Sequence, residues 1–293
     1  MIGLGVMGEP MAWNLAKAGF ALTVHNRSSA RCEPFRAAGI AVADTARDAI
    51  ARSEAVVLML PNDREMDRVL ERGPDGRVGV PIEGKIVVTM CTVAPAYSQA
   101  LAADVAAAGG RYVEAPVSGS RKPAEAAQLV IMAAAADPTA IDGVEPIFAA
   151  LGKATIRCGQ PPGAMRMKLA NNLLLIAMFE AVTEATHFAR GIGLDLDQFF
   201  EIVLAGPMAN DLYRGKAPKL LAGDFSQQAS VKTVAEVIRL ICEEARRAGL
   251  STPVAATNEK LFAEAVRAGL GDDDVVGVLK LLERSRVPEA TAD

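Results

Sequence analysis

MIGLGVMGEPMAWNLAKAG (residues 1–19) carries G-x-G-x-x-G at Gly3, Gly5 and Gly8. In a β-α nucleotide-binding unit such a loop leaves a strand and enters a helix. The first glycine allows the tight turn, the second lets the backbone approach a pyrophosphate, and the third lets the helix pack closely. The helix that follows, with Pro10 in its first turn, offers free N–H groups and the positive end of its dipole to phosphates. Only Met1 and Ile2 precede Gly3. The expectation is a sheet whose central first strand is truncated, with native sequence upstream of Met1. A lone G-x-G-x-x-G is a weak signal that a glycine-rich turn would also give, so its surroundings must decide.

Those surroundings alternate short apolar runs with helical patterns. FALTVHN (20–26), AVVLMLP (55–61), GKIVVTM (84–90), RYVEAPV (111–117) and QLVIMAAAA (128–136) read as strands. Helical segments lie between them at 9–18, 28–38, 44–52, 63–71 and 95–109. This rhythm predicts an α/β fold with a Rossmann-type, doubly wound parallel sheet. The pattern changes at CGQPPGAMRMKLANN (158–172), after which no breaker interrupts a helical stretch over 164–190. Further helices are predicted at 195–205, 231–248, 253–268 and 272–285. The boundary is placed at 158–163, giving a cofactor-binding domain over 1–160 and an all-α domain over 161–293. The tail RVPEATAD (286–293) is expected to fray.

Composition excludes several function classes. The 293 residues are 51% hydrophobic and 23% charged, which suits a globular protein with a sizeable core. The net charge is −4 and no basic stripe stands out, so nucleic acid is not an expected partner. No apolar run approaches the ~20 residues that span a bilayer, and the N-terminus lacks a signal-peptide pattern. A cytoplasmic protein is expected. Four cysteines (Cys32, Cys91, Cys158, Cys242) are scattered without a C-x-x-C pair and read as free thiols. With two histidines, His25 and His187, neither a metal site nor a Ser-His-Asp triad is easy to assemble.

The residues after the second strand select the cofactor. The ribose-reading position lies about 20 residues past the glycine loop. Here it holds Asn26, Arg27 and Ser28, with Arg31 beyond, and no carboxylate. An acidic group would repel a 2′-phosphate, whereas arginine and a hydroxyl would hold it. The expected cofactor is NADP(H) rather than NAD(H).

Together, GLGVMGEPMAWNLAKAG (3–19), CTVAPAYS (91–98), EAPVSGSRKPAEAAQL (114–129) and GAMRMKLANN (163–172) resemble the motifs of the β-hydroxyacid dehydrogenase family, in its order and spacing. That family includes 3-hydroxyisobutyrate dehydrogenase and the glyoxylate/succinic semialdehyde reductases, and SRKPAE (120–125) looks like the latter branch. The resemblance covers nearly the whole chain. It implies cofactor contacts from Gly3, Gly5, Val6, Met7 and Gly8, from Leu60 and Pro61, from Thr92 and from Lys232. Thr92 could equally be a helix N-cap. The resemblance further implies that Ser118 and Gly119 hold a substrate carboxylate with Asn172, that Phe225 lines the substrate site, and that Lys168 is the general acid/base. Lys168 and Asn172 are four residues apart, hence on one helix face. A lysine is chemically apt, because negative charge grows on a carbonyl oxygen as hydride reaches its carbon.

One position departs from the family pattern. In DFSQQASVKTVAEV (224–237), Thr233 stands where relatives carry aspartate after lysine. The favoured expectation is NADPH-dependent interconversion of a small hydroxy acid and its aldehyde or keto acid, with a helical domain that forms a homodimer or homotetramer. An imine reductase-like enzyme, kept open by Thr233 but opposed by Lys168, is one alternative. A non-catalytic NADP-binding homologue, opposed by Lys168 and the acidic charge, is another.

Overall fold

The computed structural model describes residues 1–284, and the tail expected to fray lies outside them. The chain divides into two compact units, Met1–Lys168 and the residues from Leu169 on. The division falls inside a long helix rather than in the Pro-Gly stretch ahead of it.

The first unit is α/β. Its strands are β1 (Thr23–Val24), β2 (Ala41–Val42), β3 (Ala55–Leu58), β4 (Ile86–Thr89), β5 (Arg111–Glu114), β6 (Val117–Ser118), β7 (Leu129–Ala133) and β8 (Gly152–Arg157). Its helices are α1 (Gly8–Lys17), α2 (Glu33–Ala37), α3 (Ala46–Ala51), α4 (Asp63–Leu70), α5 (Pro95–Ala107), α6 (Arg121–Glu125) and α7 (Pro138–Leu151). β1 pairs with β2, β3 with β4 and β4 with β5, all parallel. The short segment ahead of the glycine loop joins these pairs into one sheet. Ile2 bridges His25 on one side and Leu58 on the other, both in parallel. The Ile2 N–H donates to the Val57 carbonyl at 2.8 Å, and the His25 N–H donates to the Met1 carbonyl at 3.0 Å. The first strand is thus as short as the sequence implies, and the residues it has are bonded on both sides.

Burial explains which strands are legible. β4 (IVVT) is buried throughout, as a central parallel strand covered on both faces should be. β8 (GKATIR) is half-buried or exposed along its length, so no apolar run marks it; β2, of two residues, and helix α7 also lie outside the segments that the sequence pattern predicts. Beyond β5 the sheet is no longer purely parallel. β6 pairs antiparallel with β7, and Glu114 bridges Ala134 antiparallel. Pro116, which has no N–H to donate, separates β5 from β6, yet its carbonyl accepts the Met132 N–H at 3.0 Å, so Glu114–Ala134 and Val117–Ile131 pair in one antiparallel register.

The second unit is helical. α8 (Gly163–Gly191) enters it from the first unit and is followed by α9 (Leu196–Ala205), α10 (Asp211–Ala222), α11 (Val231–Arg247), α12 (Pro253–Ala265) and α13 (Leu279–Arg284). α10 lies outside the predicted helices, because its sequence, DLYRGKAPKLLA, carries Gly215 and Pro218 within the helix. Its Lys216 forms a buried ion pair with Asp274 at 2.7 Å. The second Asp274 oxygen accepts the Gln228 N–H at 2.9 Å and the Ala229 N–H at 3.2 Å. That carboxylate fixes the loop that carries Phe225 and leads into α11, whose second residue is Lys232.

Candidate active site

The glycine loop has the geometry that its glycines predict. Gly3 sits at φ +95°, and a Cβ there would meet the Met59 carbonyl oxygen at 2.2 Å. A Cβ on Gly8 would meet the Gly3 oxygen at 1.9 Å, so neither position tolerates a side chain. Gly5 differs: nothing lies within 4 Å of its Cβ position, which leaves the backbone there open to a ligand. Val6 is exposed, and Met7, the N-cap of α1, makes no side-chain capping bond. The first turn of α1 therefore opens onto an uncapped, exposed loop, as a pyrophosphate requires. Leu60 packs beside Gly3, and Pro61 is exposed just beyond it. These residues fit a dinucleotide.

At the end of β1, Asn26 points back to the loop. Its Oδ1 accepts the Leu4 N–H at 3.0 Å, and its Nδ2 donates to the Ser28 carbonyl at 3.1 Å. Arg31 donates to the Leu4 carbonyl at 3.1 Å. Asn26 and Arg31 thus shape the glycine loop. Arg27 is 73% exposed and pairs with Glu65, on the first turn of α4, at 3.0 Å. No local pattern signals that a carboxylate meets Arg27, because 38 positions separate the two. Thr92 is half-buried between β4 and α5 and does not cap that helix, whose N-cap is Ala94.

Ser118 ends β6, and Gly119 follows at φ +130°. A Cβ at Gly119 would come within 2.8 Å of Leu129 Cδ2, so this bend requires glycine. Four residues before Ser118, Glu114 is fully buried at the end of β5. Its Oε2 accepts the N–H groups of Ala164 at 3.0 Å and Met165 at 3.3 Å. Those are orphan donors of the first turn of α8, which Pro162 cannot cap with a side chain. Burial raises the Glu114 pKa, and the two N–H bonds and the nearby Ser98 and Arg166 work against that rise. EAPVSGS offered the signal, a carboxylate on an otherwise apolar buried strand, but not its partner 50 residues away.

Lys168 lies on α8 just past this capped turn and is only 9% exposed. Burial lowers its pKa from the ordinary 10.5 to about 8. Asn172, one turn on, is also buried, and its Oδ1 has no hydrogen-bond partner. Two buried polar groups on one helix face, one unsatisfied, are expensive unless a ligand completes them.

In the helical unit, Phe225 is half-buried with the Lys280 ammonium 4.5 Å from its ring centroid. Lys232 is exposed and pairs with Asp272. Thr233 lies in the first turn of α11, where its hydroxyl bonds that of Ser230 at 2.8 Å. Ser230 caps the helix by accepting the Thr233 N–H. All four cysteines are unpaired. Among the described residues, no cluster of His, Cys, Asp and Glu could hold a metal, and no helix is long and apolar enough to cross a membrane.

Comparison with known proteins fits this layout. Residues 1–159 match the NAD binding domain of 6-phosphogluconate dehydrogenase. Residues 163–282 match the NAD-binding domain of NADP-dependent 3-hydroxyisobutyrate dehydrogenase. Glyoxylate/succinic semialdehyde reductase 1 of Arabidopsis thaliana is 33% identical over 97% of this chain and 98% of its own. The 2-hydroxy-3-oxopropionate reductase of Escherichia coli is 29% identical over 96% of each. In fold, the chain is similar to a crystal structure of 3-hydroxyisobutyrate dehydrogenase from Salmonella typhimurium. Its TM-score is 0.86 at 24% identity, covering 96% of this chain and 98% of that one.

Proposed function

The chain belongs to the β-hydroxyacid dehydrogenase family of NAD(P)-dependent dehydrogenases and reductases, and from that premise we propose that it uses NADPH to reduce the aldehyde or keto group of a small carboxylic acid, and catalyses the reverse oxidation. Glyoxylate and succinic semialdehyde, named in the Arabidopsis relative, are the leading substrates, with 3-hydroxyisobutyrate-type acids next. The observation that carries the proposal is the buried pair on α8. Lys168, with its pKa near 8, is poised to give or take a proton near neutral pH. Asn172, buried one turn away, has an amide whose oxygen lacks a partner and whose Nδ2 can donate to a carboxylate.

When bound, the nicotinamide supplies the hydride. The loop residues Gly3, Gly5, Val6, Met7 and Gly8 hold its pyrophosphate, with Leu60, Pro61, Thr92 and Lys232 as further contacts. Asn26, Arg27 and Ser28 take the adenosine ribose and its 2′-phosphate. Ser118, Gly119 and Asn172 orient the substrate carboxylate, and Phe225 lines the substrate site. Lys168 Nζ stabilises the oxygen as charge develops on it and then protonates it. The active species is a homodimer or homotetramer built on the helical unit.

The test is NADPH oxidation followed against glyoxylate, succinic semialdehyde, methylmalonate semialdehyde and a cyclic imine, with Lys168→Ala beside the wild type. Turnover of an acid substrate, reduced more than about a hundredfold in the variant, supports the proposal. Turnover of the imine alone would overturn it and make Thr233, where relatives have aspartate, the better guide. NADPH binding without turnover of any substrate would also overturn it.

A further inference from the structure

Arg27 does not stand alone at the end of β1. Its guanidinium lies 3.0 Å from Glu65 Oε1, while Arg68 reaches the other Glu65 oxygen at 2.8 Å. Several features hold Glu65 in place. Its backbone N–H is capped by Asn62 Oδ1 at 2.9 Å, it sits in the first turn of α4, where the helix dipole favours an anion, and its side chain is 21% exposed. Arg27 is the freer partner at 73% exposure. β1 and β3 flank Met1–Gly3 in the sheet, so Arg27 follows one neighbour of the central segment and α4 follows the other. The ion pair joins these two crossings at the carboxyl ends of the strands, where this class of sheet takes its ligand.

We propose that Glu65 is a specificity-determining residue for the cofactor: its carboxylate competes with the 2′-phosphate of NADP(H) for Arg27 and so narrows the preference for NADP(H) over NAD(H). The proposal rests on the reading of Arg27 as the 2′-phosphate contact. A 2′-phosphate carries close to two negative charges near neutral pH. Bound at Arg27, it must either displace Glu65 or sit beside it. The ion pair itself is worth little at such exposure, so breaking it is cheap. The larger effect is repulsion between a pinned carboxylate and a dianion a few ångströms apart. NADH carries only a hydroxyl there and feels almost none of it.

Glu65→Gln removes the charge and keeps the size and the helix. NADPH and NADH are titrated by cofactor fluorescence against the wild type, Glu65→Gln and Arg27→Ala, at low and moderate salt. The expected result is NADPH binding about three- to tenfold tighter in Glu65→Gln, NADH within about twofold, and a smaller gain at higher salt. Arg27→Ala should weaken NADPH selectively. If Arg27→Ala does so while Glu65→Gln leaves NADPH unchanged, or shifts both cofactors equally, the role of Glu65 is overturned and the NADPH reading stands. If Arg27→Ala leaves NADPH binding unchanged, both fall.

Discussion

Lys168 is costly where it stands. Its pKa is lowered from 10.5 to about 8 by burial, which corresponds to about 3 kcal/mol against carrying the charge in the folded state. The penalty is absent above the unfolded pKa, builds as pH falls from about 10.5 to about 8, and is complete below that. Lys168→Met removes the charge and fills the space. It should abolish turnover yet raise stability by about 1–3 kcal/mol at pH 7, the gain shrinking as pH rises through 8 toward 10.5. Denaturant midpoints across that range check this; a variant less stable than the wild type at pH 7 would mean the ammonium is well solvated or paired. Catalysis has its own pH signature. With Lys168 as the proposed proton donor, reduction uses its protonated form, so kcat/KM for reduction should fall as pH rises through about 8 while that for oxidation rises. Two profiles moving in the same direction would remove Lys168 as the proton carrier.

At the scale of elements, the start of α8 depends on a strand end 50 residues upstream. Glu114 supplies the cap that Pro162 cannot, and Gly163 completes the junction, since a Cβ there would strike the Cys158 carbonyl oxygen at 2.1 Å. Glu114→Ala leaves two buried N–H groups without an acceptor and should cost about 2–3 kcal/mol. Glu114→Gln keeps an acceptor oxygen and should lie within about 1 kcal/mol of the wild type. If chemical denaturation finds the two variants equally unstable, the cap is not what Glu114 provides. The glycine loop and the buried strands were legible in the sequence because each is a local signal, a spacing or an apolar run; the four-residue step put Lys168 and Asn172 on one helix face, while their proposed roles rest on the family resemblance. The Glu114 cap, the Arg27–Glu65 pair and the Lys216–Asp274 pair were not legible, because sequence separation hides contacts that only the sheet order creates. β8 carries no apolar run because no residue of it is fully buried, and the glycine and proline within α10 read as breakers.

For the whole molecule, the open question is what the long helix does with its outer face. The sequence marked α8 as unbroken, but its many alanines and leucines did not distinguish inward from outward positions. Met167, Leu174, Phe188 and Ile192 are separated by spacings that return to one side of a helix, and all are exposed. Leu174, Phe188 and Ile192 are 61%, 63% and 57% exposed, and Ile202 on α9 reaches 69%. A monomer rarely leaves so many large apolar side chains to water on one element. The proposed homodimer gives them a use, since a two-fold axis places the same stripe on both partners and an isologous contact buries it twice. The chain should therefore sediment at no less than twice its 30.7 kDa mass. Phe188→Glu together with Leu174→Glu puts charges into that contact without touching Lys168 or Asn172. The double variant should run as a folded monomer at micromolar concentration, because burying even one unpaired charge costs more than a typical interface residue contributes. A wild-type chain that sediments at 30.7 kDa would remove the dimer outright. An oligomer that survives both charges would move the interface off this face of α8.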